Sequence, residues 1–189
     1  MNNSYQDYFQ YLTNRSWFGL MYRNFWLYPR ICKHLTGYVL DVGCGTGDFL
    51  KHRKQTIGVD INPEVVNFCQ KRGLDVLQME IDYLPFLSGE FDGVVLDNVL
   101  EHIISPSLLI KEIYRVLKPA GTLIIGVPGK KGYARDADHK VFYDQNKITS
   151  TVCAHGFVNK VNFYMPLKST ILDTHLPQYC LFSKFVRCF

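Results

Sequence analysis

The sequence predicts an α/β fold: a doubly wound, mostly parallel sheet in three layers, helices on both faces, closed by an antiparallel C-terminal edge. Three observations carry that expectation. From residue 38 onward, short apolar runs alternate with stretches of helical period. Five of those runs are apolar almost throughout, as strands covered on both faces are. The stretch Val39-Leu-Asp-Val-Gly-Cys-Gly-Thr-Gly-Asp-Phe-Leu50 reads as a buried strand entering a glycine-rich turn and then a helix. Such a turn lets the backbone approach a ligand, and the helix N-terminus offers it unpaired N–H groups.

The elements follow in order. Residues 1–36 form an aromatic-rich helical cap, with ten of the chain's 27 aromatics before residue 29. Tyr8, Tyr11, Leu12, Arg15, Phe18 and Tyr22 recur at helical steps, with Gly19 or Pro29 as the break between two helices. These aromatics are expected to pack on the domain as core, and as a lid to line a pocket as well. Residues 38–42 form the first strand, 47–53 a short helix and 56–60 the second strand. Residues 63–72 form a helix with Asn62 as N-cap and Pro63 at its first position, ended by Gly73. Residues 74–78 and 91–97 are strands three and four. Ser105 and Pro106 open a helix to about Leu117, with Leu109, Ile110, Ile113, Val116 and Leu117 on one face. Residues 122–127 are strand five. The Gly-rich, charged stretch 128–143 follows a strand end and is a functional-loop candidate. Residues 144–155 form a helix closed by Gly156, 157–164 a sixth strand, and 178–187 a last strand or a helix. One domain spans residues 1–189: the cap to 36, a core over 37–165 and a C-terminal edge segment over 166–189. If residues 178–186 failed to complete an edge hairpin, the open sheet edge would suit a second copy.

Composition narrows the function. The net charge is +4 and no basic run exceeds Lys130-Lys131, so no nucleic-acid partner is expected. None of the six cysteines forms a C-x-x-C pair, and no metal ligand set is expected. No signal peptide is read at the N-terminus, and the apolar runs fall far short of the ~20 residues of a membrane span. The expectation is a soluble cytoplasmic protein with free thiols, monomeric or homodimeric.

Glycine spacing selects the ligand. A pyrophosphate-binding G-x-G-x-x-G counted from Gly43 needs glycine at 48, where Asp48 stands. Asp41 and Asp48 would oppose a diphosphate but suit an ammonium group, while the helix N-terminus can take one carboxylate. A nucleoside carrying an amino acid and no phosphate matches that pattern.

The residues from Val39 to Gly47 resemble the first motif of the class I S-adenosylmethionine-dependent methyltransferases. The resemblance continues through Gly58-Val-Asp-Ile-Asn-Pro63, Leu84-Pro-Phe86 with Glu90-Phe-Asp92, Asn98-Val-Leu-Glu-His102 and Arg115-Val-Leu-Lys-Pro-Ala-Gly121, with Ala120 where the family usually has glycine. It implies a Rossmann-like core and S-adenosylmethionine as cofactor. The implied cofactor-binding residues are Asp41, Gly43, Cys44, Gly45, Gly47, Asp60, Ile61, Asp97 and Asn98, with Glu80 or Asp82 and the Ile81 N–H beside adenine. Asp60 would accept the ribose hydroxyls.

An in-line methyl transfer needs alignment and, for an oxygen nucleophile, a base. His139 is expected as the base, with Asp136 orienting it or the substrate; His102 is a further base or a structural histidine. Asp97-Asn-Val-Leu replaces the [DN]-P-P-[YF] of amino methyltransferases acting on nucleic-acid bases, and no Pro-Cys nucleophile is present. The expected acceptor is a small molecule with an O- or N-nucleophile, such as a sugar, lipid-linked or quinone-like hydroxyl. The alternatives are a cofactor-binding, non-catalytic partner subunit and, less well matched, an NAD-dependent oxidoreductase.

Overall fold

The computed structural model describes residues 2–13 and 17–188. Seven strands form one sheet: β1 (Val39–Val42), β2 (Thr56–Asp60), β3 (Val76–Gln78), β4 (Phe91–Asp97), β5 (Leu117–Pro128), β6 (Phe157–Met165) and β7 (Cys180–Arg187). Their order is β3-β2-β1-β4-β5-β7-β6. The first five pair in parallel, and β7 lies antiparallel between β5 and β6. The last strand therefore completes the hairpin, and β5 has a partner on both sides. Of the two readings open for residues 178–187, the strand is the one formed. Alternation of Leu181, Ser183 and Phe185 with Phe182 and Lys184 gives each sheet face its own set of side chains.

The α/β layering is three deep. On one face Leu40, Val94, Leu96, Ile125 and Phe185 pack with Leu109, Ile110 and Ile113 of α6 (Ser107–Val116) and Ile148 and Val152 of α8 (Gln145–Cys153). On the other face Val39, Val95, Ile124 and Phe182 pack with Tyr28 and Ile31 of α3 (Tyr28–Cys32) and with Phe49 of α4 (Asp48–His52). α5 (Pro63–Gln70) buries Val65, Val66 and Cys69 beside β3. Its N-cap is Asn62, whose side chain accepts from Glu64 N at 3.0 Å, as the sequence predicts. Asp144 caps α8 in the same way, accepting from Lys147 N at 2.8 Å. α6 starts at Ser107 and has no side-chain cap.

The cap departs from expectation in detail. α1 (Asn2–Thr13) is separate from α2 (Trp17–Tyr22), but Gly19 lies inside α2 and breaks nothing. From Trp17 the chain stays helical to Cys32, widening to a π-helical turn over Arg23–Leu27. Pro29 sits in the first turn of α3, where its missing N–H is not needed. α1 leans on α5 through Phe9 and Phe68, ring centroids 5.2 Å apart, and through Asn62 Nδ2 donating to Tyr5 O at 2.9 Å. Leu12 of the stripe and the aromatic Tyr28 are buried as expected, and Leu27 is buried beside them, whereas Trp17, Phe18, Phe25 and Trp26 are 54–78% exposed. The side chains of Tyr8 and Tyr11, and Arg15, lie outside the described residues.

Short helices α7 (Lys130–Tyr133) and α9 (Thr170–His175) interrupt stretches read as loop or left unread. Asp173 ties them together by accepting from Lys130 N at 2.7 Å.

Candidate active site

β1 is the inner strand from which the site grows. Its four residues are buried between β2 and β4, so the turn after it opens at the C-terminal side of the sheet, where ligands of doubly wound folds bind. The turn is held without side-chain bulk. Gly43 N and Cys44 N donate to Val59 O at 2.8 and 3.0 Å, and Gly45 N donates to Asp60 Oδ2 at 3.0 Å. Asp60 Oδ1 accepts from Asn62 N at 2.9 Å, so one carboxylate joins the glycine turn to the start of α5. Gly43 sits at φ +72°, and a Cβ there would lie 2.4 Å from Val99 Cγ2. Only glycine fits.

A cavity of about 630 Å³ opens beside this turn. Asp41, Gly43, Cys44, Gly45, Asp48 and Phe49 line it from the turn, and Asp97, Asn98 and His102 from the end of β4. The cap contributes Tyr22, Arg23, Leu27, Tyr28 and Ile31. Arg135, Asp136 and His139 come from the loop after β5, and Pro177, Gln178 and Cys180 from the C-terminal segment. Of the residues expected at the cofactor, Asp41, Gly43, Cys44, Gly45, Asp97 and Asn98 come together on this cavity. Gly47 serves as the left-handed N-cap of α4, at φ +73°. Asp60 supports the turn through Gly45 N, and neither it nor Ile61 is among the lining residues. Glu80, Ile81 and Asp82 form an exposed turn after β3, bridged by Glu80 and Tyr83, outside the lining.

The electrostatics are concentrated on one wall. Asp41 is buried, and burial, then Asp97 and Asp60, raise its pKa well above the ordinary carboxylate range. Asn98 adopts φ +55° and donates from Nδ2 to Asp97 Oδ1 at 2.8 Å, fixing that carboxylate at the strand end. On the cap, burial works against the Arg23 charge, but Tyr28 and Asp97 outweigh it and hold the guanidinium charged. Burial pushes the Tyr28 hydroxyl up to about 12. The Tyr22 hydroxyl is buried and makes no hydrogen bond.

A second cluster sits where β4 meets the loop after β5. Glu101, in the 3-10 turn Leu100–His102, is 1% exposed. Its backbone carbonyl accepts from Lys140 N and Val141 N at 2.8 and 3.0 Å, pinning the far end of the loop. Its carboxylate oxygens make no hydrogen bond to another residue. Burial pushes the Glu101 pKa up to about 8, and Asp97 and Asp136 add to the rise. His139 Nε2 lies 3.8 Å from Glu101 Oε1 and 3.9 Å from Asp136 Oδ2. The His102 ring is 4.7 Å from that of His139, and burial, followed by His139, lowers its pKa. The three residues expected in catalysis, His139, Asp136 and His102, are thus neighbours.

Sequence reasoning passed over Arg23, Glu101 and the segment from Pro177 to Cys180, whereas Tyr22, of the aromatic stripe expected to line a pocket, does line the cavity. Glu101 was visible as the residue before His102 but carried no assigned role. Arg23 had a signal too, as a cation among aromatics with Tyr22 beside it. Nothing local marks Pro177 or Gln178, which reach the site only because β7 inserts beside β5.

Residues 40–125 match the family described as "Methyltransferase domain". A mouse protein named "Probable tRNA methyltransferase 9B" is 37% identical over 94 residues, 47% of this chain and 21% of that protein. The ubiquinone biosynthesis O-methyltransferase of Xanthomonas oryzae pv. oryzae is 32% identical over 99 residues, 46% of this chain and 41% of that one. The chain thus covers less than half the length of these curated relatives. The crystal structure of a S-adenosylmethionine-dependent methyltransferase of Thermotoga maritima superposes with a TM-score of 0.73 at 21% identity, covering 90% of this chain and 93% of that chain. That likeness is one of fold.

Proposed function

We propose that this chain is a class I S-adenosylmethionine-dependent methyltransferase, a reading the match of residues 40–125 supports, that it binds S-adenosylmethionine beside the turn of residues 43–47 and that it methylates a hydroxyl of a small-molecule acceptor. The observation that carries the reading is the charge layout of the cavity: Asp41, Asp48 and Asp97 from the turn after β1 and the end of β4, Arg23 from the cap, and Arg135 beside Asp136 in the loop after β5. A ligand with an ammonium, a sulfonium and a single carboxylate fits that layout. A positive group beside Asp41 offsets the burial that keeps its proton on, and Arg23 is placed for the carboxylate. The unpartnered Tyr22 hydroxyl gives a ligand one more polar contact. Asp60, held against the glycine turn by backbone N–H groups of Gly45 and Asn62, would reach ribose hydroxyls only from outside the cavity lining.

S-adenosylmethionine supplies an electrophilic methyl group on sulfur. The protein's own part is to align the acceptor oxygen, exclude water under the cap and receive the acceptor's proton in the cluster of Glu101, His102, His139 and Asp136. The apolar cap residues Leu27, Tyr28 and Ile31 favour an acceptor with an apolar portion, in keeping with a quinone-like or lipid-linked hydroxyl, and the name of the Xanthomonas relative is of that class. The name of the mouse relative points instead to RNA. A net charge of +4 without a basic run weighs against it. A free-thiol, cytoplasmic setting belongs to the same proposal, and no described helix is long and apolar enough to cross a membrane.

A labelled-methyl screen tests the acceptor class. Incubation with a cell extract, then separation into low-mass and RNA fractions, should leave label in the low-mass fraction. Label only in RNA contradicts the acceptor class, and label nowhere contradicts transfer. His139→Ala should lower turnover by roughly 10²–10⁴-fold with S-adenosylmethionine affinity little changed.

A further inference from the structure

We propose that Glu101, His102 and His139 hold one divalent transition-metal ion at the acceptor end of the cavity, and that the ion takes a hydroxyl oxygen of the acceptor as a further ligand. The metal site stands on geometry alone, while its use rests on the methyltransferase reading above. The sequence carries no recognised metal-binding spacing, and the site exists only once the loop after β5 folds back onto the end of β4.

The histidines are oriented as ligands. His102 Nδ1 lies 3.3 Å from Asp138 O and His139 Nδ1 lies 2.8 Å from Tyr133 O. A carbonyl can only accept, so each neutral ring carries its proton on Nδ1 and leaves its Nε2 lone pair free, that of His139 3.8 Å from Glu101 Oε1. This is the arrangement by which outer hydrogen bonds fix the tautomer of metal-binding histidines. Stacking of Tyr133 on His139, centroids 5.3 Å apart at 18°, holds the ring further.

The carboxylate is the second, independent observation. Glu101 is 1% exposed, and neither oxygen hydrogen-bonds to another residue. A carboxylate out of water without partners is costly unless a cation meets it. One donor atom from each of the three residues lies within 4.8 Å of the other two. Around an ion with bonds of about 2.0–2.2 Å, such atoms sit roughly 3–3.5 Å apart, which small side-chain rotations supply. Two imidazoles and one carboxylate on one side of an ion select zinc, iron(II), cobalt or manganese over magnesium or calcium, and leave positions open. His102 and His139 line the cavity, so the open side faces it.

This assigns His139 a different part from the free base expected of it. A cation on the acceptor oxygen lowers that hydroxyl's pKa. The O–H bond then breaks with its electrons left on oxygen, and the proton passes to the Asp136 carboxylate at the cavity wall and on to water.

Titration of chelator-stripped protein with Co²⁺ alone tests the site, read by visible absorption and calorimetry. The expected result is one ion per chain, with ligand-field bands and no thiolate charge-transfer band. Glu101→Gln and His139→Ala should each bind at least about tenfold more weakly. If Glu101→Gln does not fold by circular dichroism, His102→Ala and His139→Ala decide. Absence of saturable binding to the wild type overturns the proposal. So does equal affinity in the folded variants, or a thiolate band placing the ion on cysteine. S-adenosylmethionine titrated into the same stripped wild type separates the two readings: if it binds while Co²⁺ does not, only the metal site falls; if it does not bind, the methyltransferase reading falls.

Discussion

Ala120 occupies a left-handed turn at φ +62°, where its Cβ crowds the backbone. The family resemblance marks this position as one usually glycine, and the dihedral gives the reason. Ala120→Gly should raise stability by up to about 1 kcal/mol, since relief of the strain exceeds the entropy glycine adds to the unfolded chain. In a thermal melt that is roughly 2–4 °C upward; an unchanged or lower midpoint would show that the turn carries no strain. Asp41 makes a prediction about protons. Its pKa is raised in the folded protein, by burial first, so the ligand-free protein is most stable while Asp41 keeps its proton, and loses that contribution as pH rises out of the ordinary carboxylate range. A cationic ligand reverses the preference and drives the proton off. Calorimetry of S-adenosylmethionine binding in two buffers of different ionisation enthalpy should therefore report proton release at a pH above the ordinary carboxylate range, absent in Asp41→Asn. Proton uptake would put the sign of the argument wrong. Asp41, Gly43 and Gly45 were legible in the sequence because their chemistry is local. Arg23 was not, because its place depends on how the cap folds over the sheet.

At the scale of elements, motifs quoted one by one in the sequence become single contacts. Arg115, on α6, donates from Nη1 to Phe86 O at 2.7 Å and from Nη2 to Leu84 O at 2.9 Å. Glu112, paired with Arg115 at 2.7 Å, accepts from Leu84 N at 3.0 Å. The Leu84-Pro85-Phe86 segment and the motif beginning at Arg115 are one clamp. Asp92 works likewise, accepting from Tyr38 N at 2.8 Å and pairing with Lys118 at 2.8 Å, so it ties the entry to β1 to the first residues of β5. These residues hold the scaffold and do not reach the cavity. Arg115→Ala should cost about 1–3 kcal/mol, because two carbonyls lose a charged donor and Glu112 loses its partner. Loss of turnover without loss of stability would instead make the clamp part of the site. Strand positions and the apolar face of α6 were legible because hydrophobic period reports burial directly. The short helices α7 and α9 were not, since four and six residues carry too little period.

Across the whole molecule, the cavity is closed by parts far apart in sequence: the cap, the turn after β1, the loop after β5 and the segment before β7. The sheet order was foreseeable as a class, parallel strands with an antiparallel edge. Insertion of β7 between β5 and β6 was not, because residues 178–187 have no local signal that separates strand from helix. That insertion settles the edge and leaves β6, not β5, at the border of the sheet. It also carries Cys180 to the cavity wall, where burial, then Asp97 and Glu101, raise the thiol pKa. The exposed aromatics of α2 and the π-helical turn lie outside this closure, which is why a helical stripe alone overstated how much of the cap is core. Cofactor choice rests with the turn after β1. Calorimetric titration of the full chain with S-adenosylmethionine should give one saturable site per chain and a rise in thermal midpoint, with no heat from a nicotinamide dinucleotide. No heat and no shift with S-adenosylmethionine, or saturable binding of the dinucleotide in its place, would contradict it.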